Sequence, residues 1–270
     1  MAYEKKISRQ YPGLIVAVLD DSGSMGDKMA GTSDPRYKWV ERYFGHILDE
    51  LLARSTEVQS GEAVVKPRYY LRIIPYGSKP QLWGEPEMDI KATVERFTKA
   101  KNSLGLGGKL GGTDAKAALE LAYSYIEQAV STDQFKDSFP PMVFHLTDGE
   151  SWTDATKISE QISQLSTNDG NVLMVNAYIG TQTSLNYTDP EDFPGYINAS
   201  EAGPSRDNTR LFNMSSQAPA SIEENLKSEN IFPKLRTGSR LFFDVRTKEM
   251  LKHVIQVVGS IGSRAQRTER

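Results

Sequence analysis

GLIVAVLDDSGSM, residues 13–25, is an unbroken apolar run that stops abruptly at two aspartates followed by two serines. An apolar run without polar alternation, partly β-branched, is the pattern of a strand buried on both faces, as in the middle of a helix-covered parallel sheet. Its polar end then falls at the carboxyl edge of that sheet, where open α/β proteins gather their ligands. Asp20 closes the strand, and alternation along the loop after it lets Ser22 and Ser24 turn their hydroxyls toward one position.

Strand and helix patterns alternate outward from this run. WVERYFGHILDELLARSTEV within residues 37–58 places Val40, Phe44, Ile47, Leu48, Leu51 and Leu52 on one helical stripe. Residues 67–78 read as a second strand, with residues 81–83 as a short antiparallel partner across a Gly/Pro turn. Helices are expected near 90–97, over 115–130 and over 154–165, and buried strands over 142–146 and 171–180. Residues 181–207, rich in Pro, Gly, Asn and Asp, read as a surface insertion. Order resumes at 211–216, then come a helix at 221–228, a strand at 240–245, a helix at 248–258 and a fraying tail at 262–270. The alternation predicts an α/β sandwich with right-handed crossovers, a mostly parallel central sheet with one short antiparallel edge strand, and helices on both faces.

Two further segments end in the manner of the first. GGTD at 111–114 places Thr113 just ahead of a helix, and LTDGE at 146–150 puts Asp148 at the end of a buried strand. Asp20, Ser22, Ser24, Thr113 and Asp148 together are an oxygen-only donor set. Two carboxylates offset a dication's charge while hydroxyls and waters complete an octahedron of about 2.0–2.1 Å for magnesium. Such donors select Mg²⁺, with Mn²⁺ or Ca²⁺ as substitutes, over soft metals. Where carboxylates reach the ion only through water, it stays electrophilic, and a glutamate or aspartate of a protein partner becomes the natural ligand. Each fragment alone has a plainer explanation: serines capping a helix, Thr-Asp as an N-cap, Asp-Gly as a turn. Their joint occurrence at strand and helix ends favours the metal site.

Composition narrows the classes. The 270 residues carry a formal charge of −3, which provides no general attraction to nucleic acid or an anionic membrane. Cysteine is absent and the histidines are His46, His145 and His253, which removes thiolate zinc sites and cysteine nucleophiles. No apolar segment approaches the roughly 20 residues that span a bilayer, and the N-terminal residues lead into no signal-peptide core. A cytoplasmic protein is the expectation.

The D-x-S-x-S-M of residues 20–25, the threonine of GGTD and the aspartate of LTDGE resemble the metal-ion-dependent adhesion site of von Willebrand factor A domains. The resemblance runs through the element order over residues 14–260. It implies a single domain over residues 1–270, a Rossmann-like three-layer sandwich that binds protein ligands through Mg²⁺, and no enzymatic turnover. The family's metal ligands carry over to Asp20, Ser22, Ser24, Thr113 and Asp148. Without cysteine or a signal sequence, the chain is similar to intracellular bacterial stand-alone members associated with tellurite resistance, stress or phage defence.

Other features were weighed beside these. Trp152, directly after the third motif, and Gly112 are candidate partner-contacting residues on the rim of the ion. GLGGKLGG at 105–112, with Lys109, superficially resembles a phosphate cradle but lacks a lysine followed by Ser or Thr opening a helix. Asp21 and Asp27 either strengthen cation attraction or are solvated loop residues. Glu150 and Asp154 read as helix-dipole partners, and His145, in a buried strand, supports no hydrolytic triad. The rival function is a metal-dependent phosphohydrolase, disfavoured by Ser22 standing where a second acid would be needed and by the lack of a basic phosphate clamp.

Overall fold

A computed structural model describes residues 3–86, 88–149, 151–180 and 184–260. The run that opens the chain is β1 (Gly13–Asp20), buried along its whole length. It is flanked by β4 (Tyr69–Tyr76) and β5 (Met142–Thr147), and the sheet continues through β6 (Leu173–Ile179) to β7 (Phe242–Val245). The five strands pair in the order β4-β1-β5-β6-β7, every pairing parallel.

Alternate residues of β1 feed two cores, as strand periodicity requires. Ile15, Ala17 and Leu19 pack with apolar residues of α1 (Arg36–Ser55), α2 (Ile90–Lys99), α6 (Ala220–Ser228) and α7 (Lys248–Ser260). Leu14, Val16 and Val18 pack with α3 (Ala115–Val130) and α4 (Thr156–Gln164). The result is the Rossmann-like three-layer sandwich. The chain leaves β1 for β4 on one side and returns to β5 on the other, so the carboxyl ends of β1 and β5 face the crevice where such sheets bind ligands.

Three local readings change. The first helix stops at Ser55 rather than near residue 58, and β2 (Thr56–Gln59) pairs antiparallel with β3 (Glu62–Val65) in a separate hairpin. Its two-residue turn has Ser60 at φ 52° and Gly61 at φ 84°, the positive pair that matches strand twist in a tight hairpin. The antiparallel pair of the fold is therefore this hairpin. Residues 81–83 meet the edge strand β4 only through isolated bridges such as Ile73 with Trp83, where Trp83 N–H donates to the Ile73 carbonyl at 2.8 Å.

The third change concerns 181–207, of which 181–183 lie outside the described residues, as does the tail from 261. The remainder has many exposed residues but is anchored to the body of the molecule. Short 3-10 turns at Pro190–Asp192 and Ala199–Ala202 carry Phe193, Tyr196 and Ala202 into the core. Phe193 has ring centroids of Phe232 at 5.0 Å and Tyr187 at 5.2 Å, and α5 (Arg206–Met214) begins before the stretch ends. Turn-forming residues bend this segment, while its aromatics, too apolar to leave in water, hold it down.

Candidate metal centre

Parallel register sets Leu19 beside Leu146, so Asp20 and Asp148 reach the same edge of the sheet from neighbouring strands. Asp20 is wholly buried. The Ser22 N–H donates to its Oδ1 at 2.9 Å and the Thr147 hydroxyl to its Oδ2 at 2.7 Å. Burial above all, and then the negative charge of Asp148, push its carboxyl up to about 6 against the pull of these hydrogen bonds.

After β1 the chain makes a 3-10 turn, Gly23–Gly26. Ser22 occupies its N-cap position yet makes no side-chain capping bond, so capping does not account for this serine. Its Oγ instead lies 3.2 Å from Ser24 Oγ. The Asp148 side chain is 5% exposed: Oδ2 accepts from Arg36 Nη1 at 3.0 Å, and Oδ1 is buried with no hydrogen-bond partner among the described residues.

Thr113 is buried on the loop between α2 and α3, and that loop is stitched to the other two. Gly23 N–H donates to the Gly111 carbonyl at 3.1 Å, Leu110 N–H to the Asp21 carbonyl at 3.2 Å, and Trp152 N–H to the Thr113 carbonyl at 3.2 Å. Asp114 follows as the N-cap of α3, accepting from Ala117 N–H at 3.0 Å. The structure thus gathers Asp20, Ser22, Ser24 and Asp148 at one edge and seats Thr113 on a loop bonded to both neighbours.

These residues suit a hard dication. Burial resists the charge of Asp20, one oxygen of Asp148 has no hydrogen-bond partner among the described residues, and the surrounding donors are hydroxyls. Among the described residues no group of three or more His, Asp or Glu is placed to hold a metal ion.

The neighbouring residues sort themselves. Asp21 is no ion donor in this arrangement: its Oδ1 accepts from Gly107 N–H at 2.7 Å and Gly108 N–H at 2.6 Å. On α1, Glu41 Oε1 accepts from Ser103 Oγ, Leu104 N–H and Leu106 N–H at 2.7–3.1 Å. The amides that made 105–112 look like a phosphate cradle are therefore partly spent on the chain's own carboxylates. A Cβ on Gly108, whose φ is +61°, would stand 2.5 Å from the Gly26 nitrogen, so the loop can lie this close only with glycine there. Asp27 is exposed, and Asp154 accepts from Thr156 N–H at 2.9 Å at the start of α4. Glu150 lies outside the described residues.

Trp152 is 65% exposed, and its ring rests on Gly112, where an added Cβ would lie 2.3 Å from ring carbon. His145 is buried, with Nε2 2.7 Å from the Tyr76 hydroxyl and Nδ1 2.8 Å from Asn176 Oδ1. Arg36 was not read from the sequence as part of the site. Its one signal there is a cation opening a helix whose first turn has no acid.

No protein-family model matches the chain, and no curated protein matches it. Solved structures do. Proximal thread matrix protein 1 from the mussel byssus superposes with a TM-score of 0.53 at 11% identity, covering 94% of this chain and 49% of that one. The same protein with a zinc-occupied MIDAS motif, the metal-ion-dependent adhesion site, gives 0.53 at 12% identity, with 95% and 47% covered. The pilus adhesin SpaC from Lactobacillus rhamnosus GG gives 0.56 at 12%, with 95% and 31% covered. The chain spans about half the length of the mussel protein. These neighbours are von Willebrand factor A-domain proteins, and at this identity the likeness establishes the fold: the chain has a von Willebrand factor A-type architecture.

Proposed function

We propose that the domain is a cytoplasmic protein-binding module that holds Mg²⁺ at Asp20, Ser22, Ser24, Thr113 and Asp148 and presents it to an acidic residue of a protein partner. The observation that carries this reading is Asp148 Oδ1, buried and without a hydrogen-bond partner among the described residues, just past the end of the strand next to that of Asp20, whose own ionisation burial opposes. A dication supplies a positive charge to Asp20 and a partner to the Asp148 oxygen that Arg36 does not hold. The shared fold with a mussel protein whose MIDAS motif takes zinc supports a divalent ion at this edge. Bound there, the ion acts as an electrophile for a carboxylate oxygen. Asp20 and Asp148 provide charge, and Ser22, Ser24 and Thr113 provide neutral oxygens. Trp152, lying over Gly112 on the rim, gives the partner an apolar anchor.

Binding rather than turnover is the activity. Three of the glycine-loop amides that could cradle a transferring phosphate, Leu106, Gly107 and Gly108, are committed to Glu41 and Asp21. Calorimetric titration of Mg²⁺ into chelator-treated protein shows saturable binding that Asp20→Asn abolishes. Capture of a partner from the native cell is lost in chelator and in the same variant. Full capture by Asp20→Asn, or phosphomonoester turnover that requires Mg²⁺, contradicts the proposal.

A further inference from the structure

Arg36 stands where helix electrostatics argue against it. It is the first residue of α1, after Pro35 at the N-cap, at the end of a helix that favours negative charge. What holds it there is the site: Nη1 donates to Asp148 Oδ2 at 3.0 Å and to the Ser24 carbonyl at 3.2 Å. One guanidinium nitrogen therefore joins the first motif to the third. Its side chain is 23% exposed while that of Asp148 is 5% exposed, so the pair sits at the mouth with the carboxylate inward. With Asp20 and Asp148 ionised and Arg36 charged, the ion-free edge carries a net charge of −1 from these three rather than −2.

We propose that Arg36 is an internal cation that competes with a divalent ion for Asp148 and so sets the ion concentration at which the site fills. The inference rests on the ion-binding reading above. An entering dication meets a carboxylate already half satisfied and a positive charge within a few ångströms, and both oppose it. In return, the ion-free domain avoids burying two unscreened carboxylates beside each other. Arg36 is a positioning residue: it holds Asp148 with one oxygen turned away from the guanidinium.

The test is calorimetric titration of MgCl₂ into chelator-treated wild type, Arg36→Gln and Arg36→Lys, with melting temperatures in chelator and in Mg²⁺. Removing a unit charge a few ångströms from a dication tightens Mg²⁺ binding by Arg36→Gln roughly tenfold. Its melting temperature in chelator falls, and its gain on adding Mg²⁺ exceeds that of wild type. Lysine keeps the charge but loses the planar fork, so Arg36→Lys tightens binding about twofold to threefold. Unchanged or weaker Mg²⁺ binding by Arg36→Gln overturns the competition. Should that variant not fold without ion, Arg36→Lys decides in the same way: tighter supports, equal or weaker overturns. If wild type and variants alike bind no Mg²⁺, the ion-binding reading itself fails, an outcome distinct from the first.

Discussion

His145 shows how a single side chain is fixed by what surrounds it. Asn176 Nδ2 donates to Ser215 Oγ at 3.0 Å, which leaves Asn176 Oδ1 to accept from His145 Nδ1–H, and Nε2 then accepts from the Tyr76 hydroxyl. The imidazole is neutral: burial pulls it from 6.5 down to about 4. A histidine whose folded value lies below its unfolded one binds fewer protons when folded, so its contribution to stability is intact above pH 6.5 and is lost as pH falls toward 4. The loss reaches about 3 kcal/mol at pH 4. Denaturant unfolding between pH 7 and 4 shows wild type losing more stability than His145→Gln; parallel curves refute the buried neutral state. On the rim, Gly112→Ala drives the Trp152 ring from its seat. Its fluorescence becomes more readily quenched by iodide, and partner capture weakens several-fold, as for loss of an interface aromatic.

At the scale of the element, the glycine-rich loop is a clamped strap. Asp21, next to the strand-closing Asp20, holds Gly107 and Gly108, and Glu41 of α1 holds Leu104 and Leu106. The loop leads straight to Thr113, so these two carboxylates fix the approach of the second ligand segment to the first. Asp21→Ala removes an acceptor from two amides at about 1.5–3 kcal/mol for each hydrogen bond to a charged group. Amide exchange over residues 103–112 accelerates at least roughly tenfold while β1 and β5 keep their protection. Equal exchange in both proteins shows that the clamp contributes nothing.

For the molecule as a whole, the stretch 184–207 is anchored in the core by Phe193, Tyr196 and Ala202. Phe193 lies among Tyr187, Tyr196, Phe232 and Phe243, at centroid distances of 5.0–5.7 Å. Phe193→Ala leaves a cavity there and costs about 3–5 kcal/mol. For a chain of this size that lowers the melting temperature by roughly 10 °C. A shift under 2 °C means the segment is a detachable surface loop after all.

The sequence alone determined the layered fold, because it is written locally, and it nominated Asp20, Ser22, Ser24, Thr113 and Asp148 from motifs that end at strand and helix termini. Continuous apolar runs such as 13–20 can only be central strands, and a run that ends in acids and hydroxyls puts them at the sheet edge. Local pattern did not determine what depends on residues far apart in the chain. The hairpin at 56–65 is not read: the expected helix overruns Ser55 as far as residue 58, although Ser60 and Gly61 mark the turn. The inward packing of Phe193 and Tyr196 was hidden by the turn-rich composition around them. The pairing of Arg36 with Asp148, 112 residues away, left only a cation at a helix start and nothing that pointed to its partner. A buried carboxylate finds its partner by the three-dimensional path of the backbone, and only folding brings the start of α1 to the end of β5.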